Sequence, residues 1–418
     1  MKLSRFGRIS MALVVSVAVG LGMTACGGGT VGFMWVLGTQ YNQIAGFKID
    51  DYTGNLTNTV GSPYSSSGTN PVSIVVKVGG RYVYVINKGN GTVATPGNIA
   101  LFTVGGDGNL TFQQSYSSAG QTPVWATMDS GGNYLYVLDQ FDPTNLPGSG
   151  VTPTLTGDVT VFASDPNTGR LSLVQNQQLK TPAGLLYNYF PVGKTPVMVK
   201  LASSCLYSLN AGDNTVTPYT VGGSGQLQVP TNTTIQIGLN PEGNARTLTS
   251  INTGGSYTFI TDATPTVASP GGQILEYQTG SNCALNTVVG GPWNNLALTS
   301  NPTNSFTESR GNYVYVLNKS TTNTSNPANS SISAFQINSA GQLQPVSNTS
   351  NPFSTGSDPM CMVEDPTSQY LYTSNYVDGT VTGKFINKTT GELSQLSRGS
   401  TFTATGLATC LAVSGNVD

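Results

Sequence analysis

Seven imperfect copies of one strand–turn–strand pattern, Gly-x-Leu hairpins in six of them, and an unmatched strand at each end of the repeat array predict an all-β fold. That fold is a seven-bladed β-propeller with four antiparallel strands per blade, blade one being closed by the C-terminal strand. Composition agrees. Only 9% of residues are charged, against the usual quarter. Gly (51) and Pro (23) are abundant, which favours short strands joined by turns.

The first repeated element is a strand ending in an aromatic, followed eight or nine residues later by Leu behind a turn. The aromatics are Phe47, Phe102, Phe162, Tyr219, Tyr277, Phe335 and Phe385, and their leucines are Leu56, Leu110, Leu171, Leu227, Leu285, Leu343 and Leu393. Gly54, Gly108, Gly169, Gly225, Gly341 and Gly391 precede six of these leucines by two residues and suit a tight hairpin. The exception reads Ser281-Asn282-Cys283-Ala284-Leu285. Aromatic and Leu are expected to face one core from neighbouring strands C and D.

The second element opens with Pro, runs through an apolar strand A, turns, and enters a Tyr-rich strand B. Pro71 to Asn87, Pro123 to Asp139, Pro302 to Asn318 and Pro359 to Asn375 share this plan. Pro196 opens a shorter version, and Arg246 to Asp262 a version without the Pro. The Tyr-x-Tyr alternation has the period of a strand. The first repeat starts at its B-like strand, Phe33 to Leu37, with no strand A before it, and the chain ends on an orphan A-like strand, Ala408 to Val413. Pairing the two removes an open sheet edge.

The N-terminus reads as a leader. Lys2, Arg5 and Arg8 precede an apolar run from Ile9 to Met23, too short for a comfortable span. Met23-Thr24-Ala25-Cys26 is similar to a bacterial lipoprotein signal, which implies cleavage before Cys26 and lipid on its sulfur, with an ordinary secretory signal as the alternative. The chain thus divides into a leader over 1–25, a Gly-rich linker over 26–32 and one propeller over 33–418. It is expected to be exported to the cell envelope and held at the membrane by its lipid.

Function classes narrow further. The formal charge is −2 with no basic run, which excludes phosphate-dominated nucleic-acid binding. There is no histidine, so the commonest base and metal ligand are missing. Cys205, Cys283, Cys361 and Cys410 fit no zinc spacing. No metal and no cofactor is assigned, although Asp139 and Asp262 with carbonyls would be the oxygen donors if a cation sat at the channel mouth. The four cysteines allow three disulfide connectivities. Cys205 and Cys283 fall on turns of one face in successive repeats and are expected to pair. Cys361 and Cys410 share a register on neighbouring innermost strands and form the second candidate pair, provided those strands approach closely enough. Free buried thiols are the alternative.

The Tyr-x-Tyr strands and Gly-x-Leu hairpins resemble the seven-bladed lactonase propeller family, which includes 6-phosphogluconolactonase-like and muconate-cycloisomerase-like proteins. The resemblance spans Phe33 to Val413 and implies lactone hydrolysis. Active members carry a Pro-Arg-His segment opening a mid-chain blade and an Asn-Glu pair after its second strand. Here Arg246 matches the arginine if one residue is inserted after it, Thr247 stands at the His, and Asp262 and Ala263 stand at the Asn-Glu pair. Arg246 would serve a developing oxyanion and Asp262 would be the nearest base. Asp262 also belongs to a set of strand-B ends, with Asn87, Asp139, Asn210, Asn318 and Asn375, that read as turn caps.

The loops carry the remaining information. Lys88–Asn98, Gln140–Gly157, Thr264–Gly272 and Lys319–Ser330 are long insertions on one face. Leu185, Leu186, Tyr187, Tyr189 and Phe190 add an aromatic run, either a surface for a protein or glycan partner or a lid over the channel. Two functions follow as expectations: a diverged binding scaffold using the long-loop face, and a lactone hydrolase acting on a sugar-acid lactone. A third is a structural surface protein.

Overall fold

A computed structural model describes residues 29–91, 95–144, 155–180, 183–229, 234–320 and 330–415. The leader and Cys26 lie outside the described residues, as do the middle of Lys88–Asn98 and most of Gln140–Gly157 and Lys319–Ser330.

Seven antiparallel sheets follow one another around a ring, each hydrogen-bonded in the order A, B, C, D from the centre outward. Blade six shows the plan: A is Ser300–Thr307, B is Tyr313–Ser320, C is Ser331–Ile337 and D is Leu343–Pro345. In blade one, strand B is Thr30–Gly38, opening inside the stretch expected to be linker, and Ala408–Gly415 fills position A. Trp35 stands opposite Ala412 there, and Gly38 opposite Ala408. The Thr409 hydroxyl donates to the Pro71 carbonyl of blade two (2.9 Å), so the tail is tied on both sides.

One feature was absent from the sequence pattern. In six blades a fifth strand of two to five residues, such as Phe353–Ser354, pairs with strand C beside D. Strand D is short and covers half of C; the returning chain covers the other half. Blade two has no such strand, because its seven-residue D strand Leu110–Tyr116 spans all of C. Two residues are too few to show alternation.

The two sequence motifs meet across the blade boundaries. The first aromatic of strand B packs on the glycine of the next blade's C–D turn. A Cβ added at Gly54 would lie 2.5 Å from Tyr370 Cδ1, and one added at Gly391 would lie 2.3 Å from Tyr313 Cδ1. Phe33, Tyr82, Tyr134 and Tyr257 stand against Gly108, Gly169, Gly225 and Gly341 in the same way. The next aromatic along strand B then reaches that glycine's carbonyl. Tyr84 donates to Gly169 (2.6 Å), Tyr315 to Gly391 (3.0 Å), Tyr372 to Gly54 (2.6 Å) and Trp35 Nε1 to Gly108 (3.0 Å).

Between blades four and five this contact is replaced. Cys205 holds the position of the first aromatic and Cys283 that of the turn residue, and they are disulfide-bonded with Cα atoms 5.5 Å apart. Cys283 keeps the positive φ of the glycines, 59°. Cys361 and Cys410 also pair, their Cα atoms 5.1 Å apart, so the adjacent inner strands do approach closely enough and the tail is bonded to blade seven. Both disulfides suit an oxidising compartment outside the cytoplasm.

The aromatic–leucine pattern needs one correction, in blade seven. Six aromatics are buried, but Phe385 is 40% exposed and lies edge-on to Tyr370. Ile386 stands opposite Leu393 as Ile337 stands opposite Leu343 in blade six, so the slot of Phe335 falls to Lys384, which is 4% exposed. The hairpin from Ile386 to Leu393 is one residue longer than its counterpart in blade six. With this longer hairpin an eight-residue spacing puts the aromatic on the opposite face, as any one-residue slip in a strand does.

The boundary contact yields a paired prediction. Gly54 and Gly79 both have positive φ, 67° and 89°, but nothing lies within 4 Å of a Cβ at Gly79. Gly79→Ala is expected to cost about 1 kcal/mol from backbone strain alone, and Gly54→Ala about 1–3 kcal/mol more from displacing Tyr370. Urea unfolding of both variants measures the difference. Replacing Cys205 and Cys283 together by Ser opens a link across 78 residues and is expected to cost about 2–4 kcal/mol. Equal stability of that double variant and the oxidised protein would contradict the assigned role.

Candidate functional site

Equivalent residues near the end of strand B stand at one level of the wheel. Asn87, Asp139, Asn210, Asp262, Asn318 and Asn375 sit there, all fully buried, and Gly38 takes the place in blade one. A Cβ on Gly38 would fall 1.6 Å from the Thr405 carbonyl oxygen. The amides bind their own strand C and the preceding loop. Asn375 Nδ2 donates to Thr380 (3.0 Å) and Thr382 (2.9 Å) hydroxyls, while its Oδ1 accepts from Thr355 (3.2 Å). Asn210 bonds Thr215 and Thr217 in the same manner. These side chains fasten the top of each sheet.

Arg246 and Asp262, the candidate catalytic pair, are brought together by the loop into blade five. Arg246 Nη1 donates to Asp262 Oδ2 at 2.6 Å, both side chains being buried. Asp262 Oδ1 accepts from the backbone N–H of Thr247 (3.1 Å) and of Thr264 (3.0 Å). The carboxylate is therefore charge-paired, fully buried and held by three hydrogen bonds, which is the state of a cap, while a general base must reach a water. Arg246 keeps its Nε–H buried without a partner. Thr247 is exposed and Ala263 buried at the positions where the family resemblance puts His and Glu.

Blade three holds a different pair at the same level. Asp139 and Asp158 stand directly opposite on strands B and C, both fully buried. The hydroxyls of Ser118 (2.6 Å) and Thr160 (3.3 Å) donate to Asp139, and Thr160 also reaches Asp158 (3.3 Å). Burial pushes the Asp139 carboxyl up to about 7 against the bonds from Ser118, Thr160 and Gly120. Burial, and then the charges of Asp139 and Asp142, raise Asp158 well above the ordinary carboxylate range. Among the described residues no group of three or more His, Cys, Asp or Glu could hold a metal.

The aromatic run lies at the rim of the wheel. Phe190–Lys194 forms the fifth strand of blade three beside Thr156–Ser164. Phe190 is 1% exposed and edge-on to Tyr219 of blade four, and Tyr189, 6% exposed, stacks under Tyr187 at 4.8 Å. Of the five residues singled out from sequence, Tyr189 and Phe190 belong to the core. Leu185, 69% exposed, and half-buried Tyr187 are left at the surface. The run packs between outer strands, where it cannot roof the channel.

The sequence pattern implied a central channel but not which side chains line it. A cavity of about 440 Å³ lies among the inner strands, towards the face of the A–B turns, with Trp125 and Lys200 in its wall. Lys200 Nζ stands 5.6 Å from the centre of the Trp125 ring, and burial lowers its pKa. The one signal in the sequence was a lysine inside the apolar strand Pro196–Ala202. Arg246 and Asp262 are not part of this wall.

Fold and site together define a seven-bladed propeller in which the chain termini share one blade and the Arg–Asp pair is internally neutralised. The chain belongs to the family described as lactonase, 7-bladed beta-propeller, whose model matches residues 30–145 and 276–409. The intervening stretch, which carries Arg246, Asp262 and Lys200, lies outside that match. No curated protein matches the sequence. Among solved structures, a protein of Bacteroides uniformis provisionally assigned as a 6-phosphogluconolactonase is similar at TM-score 0.67 and 13% identity, over 92% of this chain and 99% of that one. A Bacteroides fragilis protein with the same provisional assignment gives 0.65 and 14%, over 92% and 98%. The periplasmic gluconolactonase of Pseudomonas aeruginosa gives 0.63 and 13%, over 92% and 99%. At these identities the likeness is one of fold.

The acid pair sets a pH dependence. Because the folded pKa of Asp139 is raised, the native state keeps a proton that the unfolded chain has released. That contribution to stability is complete below the ordinary carboxylate range and is lost as pH rises through about 7. Asp139→Asn installs the residue found at four other blades. It is expected to be more stable than wild type at pH 8, by about 1–4 kcal/mol, with the gap closing near pH 4. Denaturant midpoints across that range decide the sign.

Proposed function

We propose that the chain is an exported, lipid-anchored propeller that binds a protein or glycan at the cell envelope through its long-loop face and does not hydrolyse lactones. The observation that carries this reading is the full burial of Asp262 and its engagement by Arg246, Thr247 and Thr264, where a base open to water would be required. The two disulfides support a compartment outside the cytoplasm. The Met23-Thr24-Ala25-Cys26 sequence supports lipid attachment at Cys26. Exposed Leu185 with Tyr187 supplies an apolar element for contact. The excess of 19 acidic over 17 basic residues disfavours nucleic acid.

Hydrolysis of a sugar-acid lactone is the second reading, favoured by Arg246 at the family's arginine position and by its unpartnered Nε–H. The two readings separate on one measurement. Release of acid from gluconolactone, followed by pH-stat, is expected at the uncatalysed rate for both the wild type and Arg246→Ala. Turnover by the wild type that disappears in Arg246→Ala would establish the enzyme instead. For the binding reading, the double variant Leu185→Ser, Tyr187→Ser is expected to fold normally and to lose at least about tenfold in affinity for envelope glycans or proteins captured by the wild type. Cys26→Ser is expected to abolish incorporation of labelled palmitate.

A further inference from the structure

The inner-strand cavity lies on the face opposite the long loops, and it contains a charge with no counter-charge. Among the described residues no carboxylate pairs with Lys200, whose Nζ has only the face of Trp125 for company. A cation–π contact at 5.6 Å offsets part of the cost of desolvating an ammonium and leaves the rest. The other charged residue of the wall, Asp129, is occupied in its own turn, where it accepts from the N–H groups of Tyr134 (2.5 Å) and Gly131 (3.2 Å). The rest of the wall mixes apolar side chains, among them Val76, Phe306, Met362 and Leu411, with the hydroxyls of Ser73, Thr127, Ser130 and Ser305. Asn304 is engaged with the Met360 carbonyl (2.9 Å). A pocket of about 440 Å³ with one cationic anchor and a wall of apolar and hydroxyl side chains has the anatomy of a small-molecule site.

We propose that this cavity binds an organic monocarboxylate with an apolar body, the carboxylate paired with Lys200 Nζ and the body held against Phe306, Met362 and Leu411. One lysine matches one negative charge. A second negative charge on the ligand would meet no second cation in this wall. Burial lowers the pKa of Lys200, and a bound carboxylate would raise it again. The reading is independent of the loop face and of the Arg246–Asp262 pair, so it stands or falls without them.

Calorimetric titration of the purified full chain with octanoate and with 4-phenylbutyrate tests it. Saturable binding is expected, weakened at least about tenfold in Lys200→Met and retained in Lys200→Arg. The neutral octanamide should bind weakly and equally to wild type and Lys200→Met. Near-UV circular dichroism checks that the variants fold. In the wild type, octanoate should also slow acetylation of Lys200, read by peptide mass spectrometry, which decides the matter if Lys200→Met is unstable. No saturation by either carboxylate up to about 10 mM overturns the proposal. So does equal affinity in wild type and a folded Lys200→Met, octanamide binding as tightly as octanoate, or acetylation of Lys200 unchanged by octanoate.

Discussion

The wheel depends on a contact between an aromatic ring and a glycine that has no side chain to keep the ring away. Strand B of one blade lays its first aromatic on the C–D turn of the next, and four of the following aromatics add a hydrogen bond to the same turn. A left-handed turn residue without a Cβ is needed for both, since any Cβ there would overlap the ring. The Tyr-x-Tyr and Gly-x-Leu motifs are the two halves of this one interface. Adjacent sheets are thereby fixed in angle and height. Where the aromatic is lost, between blades four and five, a covalent bond at the same two positions does the job.

A ring of such contacts has no free end, and closure is reinforced at the tail. Ala408–Gly415 pairs with blade one, is bonded to blade seven through Cys361, and reaches Pro71 of blade two. The polar ends of strand B add a second belt that fastens each sheet to its neighbouring loop. A scaffold fixed in this way leaves loops and channel free to vary with little effect on the core, which is how one fold carries many functions. It also explains why a buried acid pair is tolerated in blade three. Asp139 and Asp158 fill positions that mostly hold amides and hydroxyls elsewhere, and their raised pKa values let them do so without two buried charges.

Charge distribution separates the two places where chemistry was sought. Arg246 and Asp262 cancel one another inside the wall of blade five, so the pair that looks catalytic in sequence is electrostatically quiet. Lys200 is the reverse. Nothing in the sequence around it suggests a site, yet it stands uncompensated beside an open cavity. Family membership speaks to the scaffold, and the family model passes over the stretch that holds all three residues.

The sequence by itself determined the number of blades, the order of their strands and the seam, because alternation, Gly turns and the split first repeat are local patterns repeated in register. It also offered Cys205 and Cys283 as a pair, since both fall on turns of one face in successive repeats. Spacing alone could not show that Phe385 turns outward and Lys384 inward, because strand face flips with a single residue of hairpin length. Nor could it show that Tyr189 and Phe190 pack inside while Leu185 stays out, or that Arg246 closes on Asp262. Those outcomes depend on which side chains from distant segments arrive at the same point. Only the closed ring sets that, by bringing strands hundreds of residues apart to within hydrogen-bonding distance of one another.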